Sequence, residues 1–154
     1  MTDGSRYHIR QLTPGDVGLL RELLTVFADA FEEPETYTAD QPEDDYLEEL
    51  LRSAYFIALV AMHAETVVGG LAAYDLKKFE QDRREIYIYD LAVLEAHRRR
   101  GIATDLIEPM RGIAAVRGAH VVFVQADLTD APAIALYEKL GTREDVLHFD
   151  IPVK

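Results

Sequence analysis

Three consecutive arginines precede a glycine where an apolar, strand-like run gives way to a helical pattern: Arg98, Arg99, Arg100 and Gly101. A helix that begins here presents unpaired backbone N–H groups and the positive end of its macrodipole, which together bind phosphate. Gly101 allows close approach of a ligand, and the small residues Ala103 and Thr104 keep the first turn open. The joint therefore indicates a polyphosphate site. The alternative is a solvated loop whose arginines pair with nearby acids.

One acid, Asp90, interrupts the run IYIYDLAV that leads to this joint. In a regular strand its side chain would share a face with Ile86 and Ile88, which is unfavourable for an unpaired carboxylate. The pattern therefore predicts a bulge that turns Asp90 into a cleft, or a buried partner. The alternative is a strand-end Asp bonded to nearby backbone. A carboxylate held in a cleft is a candidate general base.

The chain carries 28 acidic against 16 basic residues, a net charge of −12. This balance disfavours nucleic acid and anionic membranes as partners and suits a cationic ligand, although it also serves solubility alone. The carboxylates predicted on loops and strand ends are candidates to bind such a ligand: Asp45, Glu80, Asp127, Asp130 and Asp150. Taken singly, each of these carboxylates is better explained as a solvated or helix-capping acid. As a set around one cleft, they would bind ammonium groups. Asp150 interrupts an apolar last strand and could share the base role with Asp90.

The elements that position these residues follow from periodicity and helix-end signals. Strands are predicted at YHIRQL, at YFIALVAM and TVVGGLAAYDL joined as a hairpin, and at IYIYDLAV, AHVVFVQA and VLHFDI. Helices are predicted after the cap Thr13, over 42–53, from Gly101 to Gly118 with a kink at Pro109, and over APAIALYEKLG, whereas EEPETYTADQ is predicted as a loop. This order implies an α+β or α/β fold with a largely antiparallel sheet covered by helices.

Length and composition narrow the class of protein further. The 154 residues fit a single domain over 1–154. No run reaches the roughly 20 apolar residues of a membrane span, and no signal-peptide core is visible, so the cytoplasm is expected. The chain has no cysteine and its five histidines are scattered, so neither a disulfide nor a metal site is predicted.

Two segments resemble a known family. Arg98-x-x-Gly101-x-Ala103 resembles the acetyl-CoA pyrophosphate loop of the GNAT N-acetyltransferases, Q/R-x-x-G-x-G/A. The segment from Asp130 to Gly141 resembles the GNAT motif N-x-x-A-x-x-L/F-Y-x-x-x-G-F, with Asp130 for asparagine and Thr142 for the aromatic residue. Longer stretches, among them GGLAAYDLKKFEQ, REIYIYDLAV and VQADLTDAPAIALY, are similar to the type I aminoglycoside 3-N-acetyltransferases.

The resemblance implies a GNAT fold and direct acetyl transfer from acetyl-CoA to the 3-amino group of a deoxystreptamine aminoglycoside such as gentamicin, which gives antibiotic resistance. It places Asp90 close to the thioester and Tyr137 close to the sulfur as general acid, whereas helical position alone predicts a core tyrosine. It implies acetyl-CoA contacts at Leu91, Ala92, Val93, Arg98, Arg99, Arg100, Gly101, Ile102, Ala103, Thr104, Asp130, Ala133 and Tyr137. A homodimer is expected by analogy.

Two alternatives remain open at this stage. One is a GNAT enzyme that acts on a polyamine, an amino acid or a protein N-terminus. The other is a non-catalytic acetyl-CoA-binding module.

Overall fold

The computed structural model describes residues 6–154. Its strands are His8–Gln11 (β1), Phe56–His63 (β2), Thr66–Lys77 (β3), Arg84–Val93 (β4) and Ala119–Val124 (β5). Its α-helices are Val17–Phe31 (α1), Pro34–Tyr37 (α2), Asp44–Arg52 (α3), Ile102–Arg117 (α4) and Ala131–Leu140 (α5). Two 3-10 turns, Pro14–Asp16 and Glu95–His97, precede α1 and α4.

The strands form one sheet in the order β1-β2-β3-β4-β5. The pairs from β1 to β4 are antiparallel, and β5 runs parallel to β4. A parallel neighbour requires a crossover, which α4 provides between β4 and β5. The sequence prediction of an α+β fold with a mixed, mostly antiparallel sheet flanked by helices is confirmed.

Helices cover both faces of the sheet, and β2 shows why its sequence is continuously apolar. Its odd-numbered residues, such as Ile57 and Leu59, join the core beneath α4, which we term the α4-side core. Its even-numbered residues, such as Phe56 and Val60, join the core beneath α1 and α3, which we term the α1-side core. Because side chains alternate along a strand, a strand buried on both faces has no polar face.

Most helix ends lie where the sequence predicts them. Thr13 forms a capping box with Asp16, whose carboxylate accepts from the Thr13 backbone N–H at 2.8 Å. Gly118 ends α4 in the left-handed region at φ 79°. Helix α4 continues unbroken through Pro109. Helix α3 begins at Asp44, two residues after the predicted start at 42.

Two predicted segments differ from the structure. Part of EEPETYTADQ is helical, because Pro34 begins the short helix α2. The prediction of a last strand at VLHFDI is wrong. Residues 142–154 belong to no strand or helix, and their side chains are exposed. A period of two makes a segment competent to form a strand, but a strand also requires a partner edge.

Candidate functional site

A β-bulge in β4 determines where Asp90 points. Ala72 of β3 pairs with Asp90 and Ala73 pairs with Ile88, so Tyr89 is one extra residue. Before the bulge, Ile88 belongs to the α4-side core; after it, Ala92 belongs to the α1-side core. The bulge therefore inverts the alternation and moves Asp90 away from the isoleucine face. Of the two arrangements that the sequence predicts for Asp90, the bulge is therefore present.

The predicted alternative, a partner, is present as well. The Tyr37 hydroxyl donates to Asp90 Oδ1 at 3.2 Å. Tyr37 is the last residue of α2, and its ring packs against Phe27 and Phe31. Tyr37 was not predicted as a site residue, because its segment was predicted as a loop and lies 53 residues from Asp90.

Burial controls the protonation of this pair. It raises the pKa of the Asp90 carboxyl, the hydrogen bond from Tyr37 opposes that rise, and the charge of Glu33 adds to it. Burial and the charge of Asp90 raise the pKa of Tyr37, so the phenol stays protonated and acts as the donor. A carboxylate with a raised pKa accepts a proton more readily than an exposed one, as a general base must.

Aromatic rings surround Asp90 on the same face of the sheet. Tyr87 stacks on Phe123 with ring centroids 4.6 Å apart, and its hydroxyl donates to Gln125 at 2.9 Å. Tyr89 lies against both Tyr74 and Tyr87, and it is 61% exposed. These rings were not predicted as part of the site, because a tyrosine in a strand pattern indicates only β propensity. Together they form a partly open aromatic surface on the same face as the carboxylate.

The sheet opens next to Asp90. Pairing between β4 and β5 ends at Ile88 and Val124, whereas β4 continues to Val93. Within the described chain, this last part of β4 therefore has no strand on its β5 side, so its backbone amides can bind an extended ligand. The predicted acetyl-CoA contacts at Leu91, Ala92 and Val93 lie on this stretch.

The joint between β4 and α4 has the backbone of a phosphate loop. Gly101 adopts φ 79° and Arg99 adopts φ 65°, both in the left-handed region. Among residues 6–154, apart from the adjoining backbone, no atom lies within 4 Å of where a Gly101 Cβ would be, and no side chain caps the helix. Ala103 and Thr104 are half-buried and Ile102 is buried in the α4-side core. The first N–H groups of α4 therefore face an open approach, which fits an anionic group.

The three arginines at this joint are exposed and available to an anion. Arg98 Nε donates to the Val93 carbonyl at 2.9 Å, and Arg100 donates to the Tyr7 hydroxyl at 3.0 Å. Tyr7 also bonds His97 at 3.1 Å, so a small cluster supports the loop. None of the three guanidiniums is paired with a carboxylate in residues 6–154. The alternative of arginines paired with acids does not describe this loop.

Helix α5 packs against the α4-side core, on the face of the sheet opposite Asp90. Asp130 caps it, accepting from the Ala133 N–H at 3.2 Å. Tyr137 packs against the α4-side core, and burial, with a smaller effect of Asp130, raises its pKa to about 12. Tyr137 and Asp90 therefore lie on opposite faces of the sheet, and the gap between β4 and β5 connects those faces.

The other predicted acids are exposed and make local contacts. Glu80 pairs with Arg83 at 3.3 Å, and Asp150 bonds His148 at 2.8 Å. The Asp127 carbonyl accepts from the Asp130 N–H at 3.0 Å, and Asp45 lies in the first turn of α3. In residues 6–154 none of them bonds Asp90. Their joint role in binding a cation stays a prediction.

Two kinds of feature are absent from the part of the chain that the structure describes. Over residues 6–154, no group of three or more His, Asp and Glu side chains could hold a metal ion. No helix in that range is both long and apolar enough to cross a membrane.

Comparisons with known proteins agree with this geometry. The model of the acetyltransferase (GNAT) family matches residues 20–142. An aminoglycoside acetyltransferase from an uncultured soil metagenomic sample is 59% identical, with a TM-score of 0.95 over 97% of this chain and 99% of that one. A second one, from an uncultured soil metagenomic sample and in complex with sisomicin, is 31% identical, with a TM-score of 0.89 over 96% of this chain and 97% of that one.

A curated relative carries a different activity name from these two structures. The N-alpha-acetyltransferase of Saccharolobus solfataricus is 33% identical over 98 residues, which are 59% of this chain and 57% of the relative. The match therefore spans little more than half of that protein's length.

Proposed function

The chain belongs to the acetyltransferase (GNAT) family, and we propose that within this family it acetylates an amino group of an aminoglycoside. The observation that carries the proposal is the position of Asp90, which a bulge turns to the open, aromatic face of the sheet beside the gap between β4 and β5. Similarity to aminoglycoside acetyltransferases over nearly the whole chain supports the substrate class.

Asp90 would act on the amine. An amine at neutral pH is mostly ammonium, and only the neutral form attacks a thioester carbonyl. Burial raises the pKa of Asp90, which favours proton uptake from the ammonium. The Tyr37 hydroxyl would hold the carboxylate in place through its bond to Oδ1. Asp90 is therefore proposed as general base and Tyr37 as its positioning residue.

Tyr137 would act on the leaving sulfur. Its pKa of about 12 keeps the phenol protonated at neutral pH. An ordinary thiol has a pKa of about 8.5. Because the phenol is the weaker acid, complete proton transfer from it to a thiolate is uphill. Tyr137 would therefore stabilise the sulfur mainly as a hydrogen-bond donor while charge develops there.

Acetyl-CoA supplies the acetyl group in this family, and the residues here fit it. The N-terminus of α4 and the exposed Arg98, Arg99 and Arg100 would hold the pyrophosphate, with Gly101 leaving the backbone accessible. The open edge of β4 would bind the amide-containing arm, which leads to the gap between Asp90 and Tyr137. Asp130 caps α5 here, so a contact between its side chain and acetyl-CoA would compete with that cap.

We further propose the 3-amino group of a deoxystreptamine aminoglycoside such as gentamicin as the target, which would give antibiotic resistance. The similarity of the longer sequence stretches to the type I 3-N-acetyltransferases supports this nitrogen. A net charge of −12 also suits a polycationic substrate.

A second candidate is acetylation of a protein N-terminus. The 33% identity to the archaeal N-alpha-acetyltransferase favours it. The aminoglycoside proposal ranks first because the similarity that supports it covers 97% of this chain instead of 59%.

A panel of amines tests the proposal. CoA release is followed with gentamicin, sisomicin, spermidine and peptides with free N-termini, and the modified nitrogen is mapped by NMR. We expect turnover with the aminoglycosides and acetylation at the 3-amino group. Turnover with peptides and none with aminoglycosides would favour the second candidate. Acetyl-CoA binding without turnover of any amine would indicate a binding module.

A further inference from the structure

Three rings, those of Tyr7, His63 and His97, pack together beside the joint between β4 and α4. The centroid of the Tyr7 ring lies 5.3 Å from that of His63 and 5.9 Å from that of His97. The two imidazole centroids are 5.5 Å apart. Tyr7 directly precedes β1, His63 ends β2, and His97 lies in the 3-10 turn that follows β4. The rings therefore connect the β1 edge of the sheet to the joint.

Packing and the sheet hold Tyr7 in place. Its half-buried ring packs against the α4-side core. The next residue, His8, pairs with Met62 of β2, so the backbone that carries Tyr7 continues directly into the sheet. A side chain whose rotamer is locked by packing presents its polar group at a defined position. The Tyr7 hydroxyl is therefore a fixed point to which a flexible side chain can be bonded.

Hydrogen bonds run in one direction through the Tyr7 hydroxyl. Arg100 Nη1 donates to it at 3.0 Å, and the phenol oxygen must accept because a guanidinium has no acceptor. The phenol proton is then available to His97 Nδ1, which lies 3.1 Å away. Burial and the charges of His63 and Arg100 lower the pKa of His97, so its ring is neutral at neutral pH and Nδ1 can accept. Donation therefore runs from Arg100 to Tyr7 and from Tyr7 to His97.

We propose that Tyr7 is a positioning residue that holds the guanidinium of Arg100 ready for a phosphate of acetyl-CoA, which rests on the proposed binding of acetyl-CoA at this joint. Arg100 is exposed and directly precedes Gly101, where α4 begins. Within residues 6–154 its guanidinium donates to Tyr7 alone, so its other N–H groups remain for phosphate oxygens. An arginine that is ordered before the ligand arrives loses less conformational entropy on binding.

The neighbouring Arg98 is held in a different way, and that difference makes the proposal testable. Arg98 Nε donates to the Val93 carbonyl at 2.9 Å, so the backbone at the end of β4 orients it. Arg100 is oriented by a residue 93 positions earlier in the chain. Loss of the Tyr7 hydroxyl should therefore release Arg100 and leave Arg98 in place.

Calorimetry with acetyl-CoA tests the proposal, because binding needs no acceptor amine. Tyr7→Phe keeps the ring and removes the hydroxyl, so acetyl-CoA should bind about 2–10-fold more weakly, the ordering cost of one flexible side chain. Tyr55→Phe is the matched control, because Tyr55 is 54% exposed and precedes β2 at the end away from His63. It should bind acetyl-CoA like the wild type. An unchanged affinity in Tyr7→Phe, or an equal loss in Tyr55→Phe, would overturn the proposal.

A double variant separates positioning of Arg100 from a general structural effect of Tyr7. Arg100→Ala removes the cation and should weaken acetyl-CoA binding by at least about tenfold. If Tyr7 acts through Arg100, adding Tyr7→Phe to Arg100→Ala should cause no further loss, whereas independent effects would multiply. A further loss as large as that of Tyr7→Phe alone would contradict positioning. An Arg100→Ala variant that binds like the wild type would overturn both the positioning and the role of Arg100 at the joint.

Turnover adds a readout that a merely structural role of Tyr7 would not leave unchanged. With sisomicin as acceptor, Tyr7→Phe should raise KM for acetyl-CoA and keep kcat at saturating acetyl-CoA. S-acetylpantetheine, which has the thioester but no phosphate, should react equally well with Tyr7→Phe and the wild type. A slower reaction of Tyr7→Phe with S-acetylpantetheine would overturn the proposal. If the wild type acetylates no aminoglycoside, the proposed function fails, and calorimetry decides the role of Tyr7.

Discussion

The hydrogen bond from Tyr37 to Asp90 predicts a specific shift in the pH profile of the enzyme. Asp90 must be ionised to accept a proton, so kcat/KM rises with pH through the Asp90 pKa. Burial raises that pKa and the Tyr37 hydroxyl lowers it. Tyr37→Phe removes the lowering effect and keeps the ring against Phe27 and Phe31. The acid limb should therefore move to higher pH.

The geometry sets the size of the shift. The oxygen–oxygen distance is 3.2 Å, longer than an ordinary O–H···O bond. A hydrogen bond to a charged group contributes about 1.5–3 kcal/mol. Because this bond is long, we take the lower end of that range. About 1.4 kcal/mol corresponds to one pKa unit. At pH values below the Asp90 pKa, kcat/KM of Tyr37→Phe should be about tenfold lower than that of the wild type. At pH values well above that pKa, the two should be nearly equal.

The assay is kcat/KM for sisomicin between pH 5 and pH 9, compared between variants so that titration of the substrate itself cancels. Tyr74→Phe is the control, because Tyr74 lies on the same face and packs edge-on against Tyr89. Within the described chain, Tyr74 donates no hydrogen bond to Asp90. An unmoved limb in Tyr37→Phe, or an equal shift in Tyr74→Phe, would refute the reasoning.

Three further predictions concern the anion site, the acid and the structural ion pairs. Gly101→Ala should weaken acetyl-CoA binding measured by calorimetry. Gly118→Ala is the control, because its φ is also 79° and the substitution has the same backbone cost of about 1–2 kcal/mol, but it should not weaken binding. Equal acetyl-CoA affinities of the two variants would contradict the role of the loop. Tyr137→Phe should lower kcat about 10–100-fold with little change in KM for sisomicin, and an unchanged kcat would exclude Tyr137 as a donor to the sulfur. Asp75→Ala should lower the free energy of unfolding in urea by about 3–5 kcal/mol, because Asp75 is buried between Arg84 and Arg117; a loss under 1 kcal/mol would show that the pairs contribute little.

Local features of the sequence predicted most of the fold and the unusual placement of Asp90. Asp90 conflicts with the alternation of its strand, and that conflict correctly predicted a bulge or a partner. Thr13, Gly101 and Gly118 mark helix ends through their own backbone preferences, so those ends were predictable as well.

Features that depend on distant partners were not predictable. Tyr37 meets Asp90 only because α2 folds over the bulged face, and no local pattern encodes a contact across 53 residues. The C-terminal segment shows the same limit, since its sequence alternates but it forms no strand in the described chain. The helical position of Tyr137 does predict a core tyrosine, but the rise of its pKa depends on how closely α5 packs on the sheet.

The central claim is that Asp90 removes the proton from the substrate amine. The most direct measurement is kcat and KM for sisomicin acetylation by the wild type and by Asp90→Asn, whose side-chain oxygen still accepts from Tyr37. We predict that kcat falls at least about 100-fold while acetyl-CoA affinity is unchanged, as expected for loss of a general base. A kcat within threefold of the wild type would contradict the account.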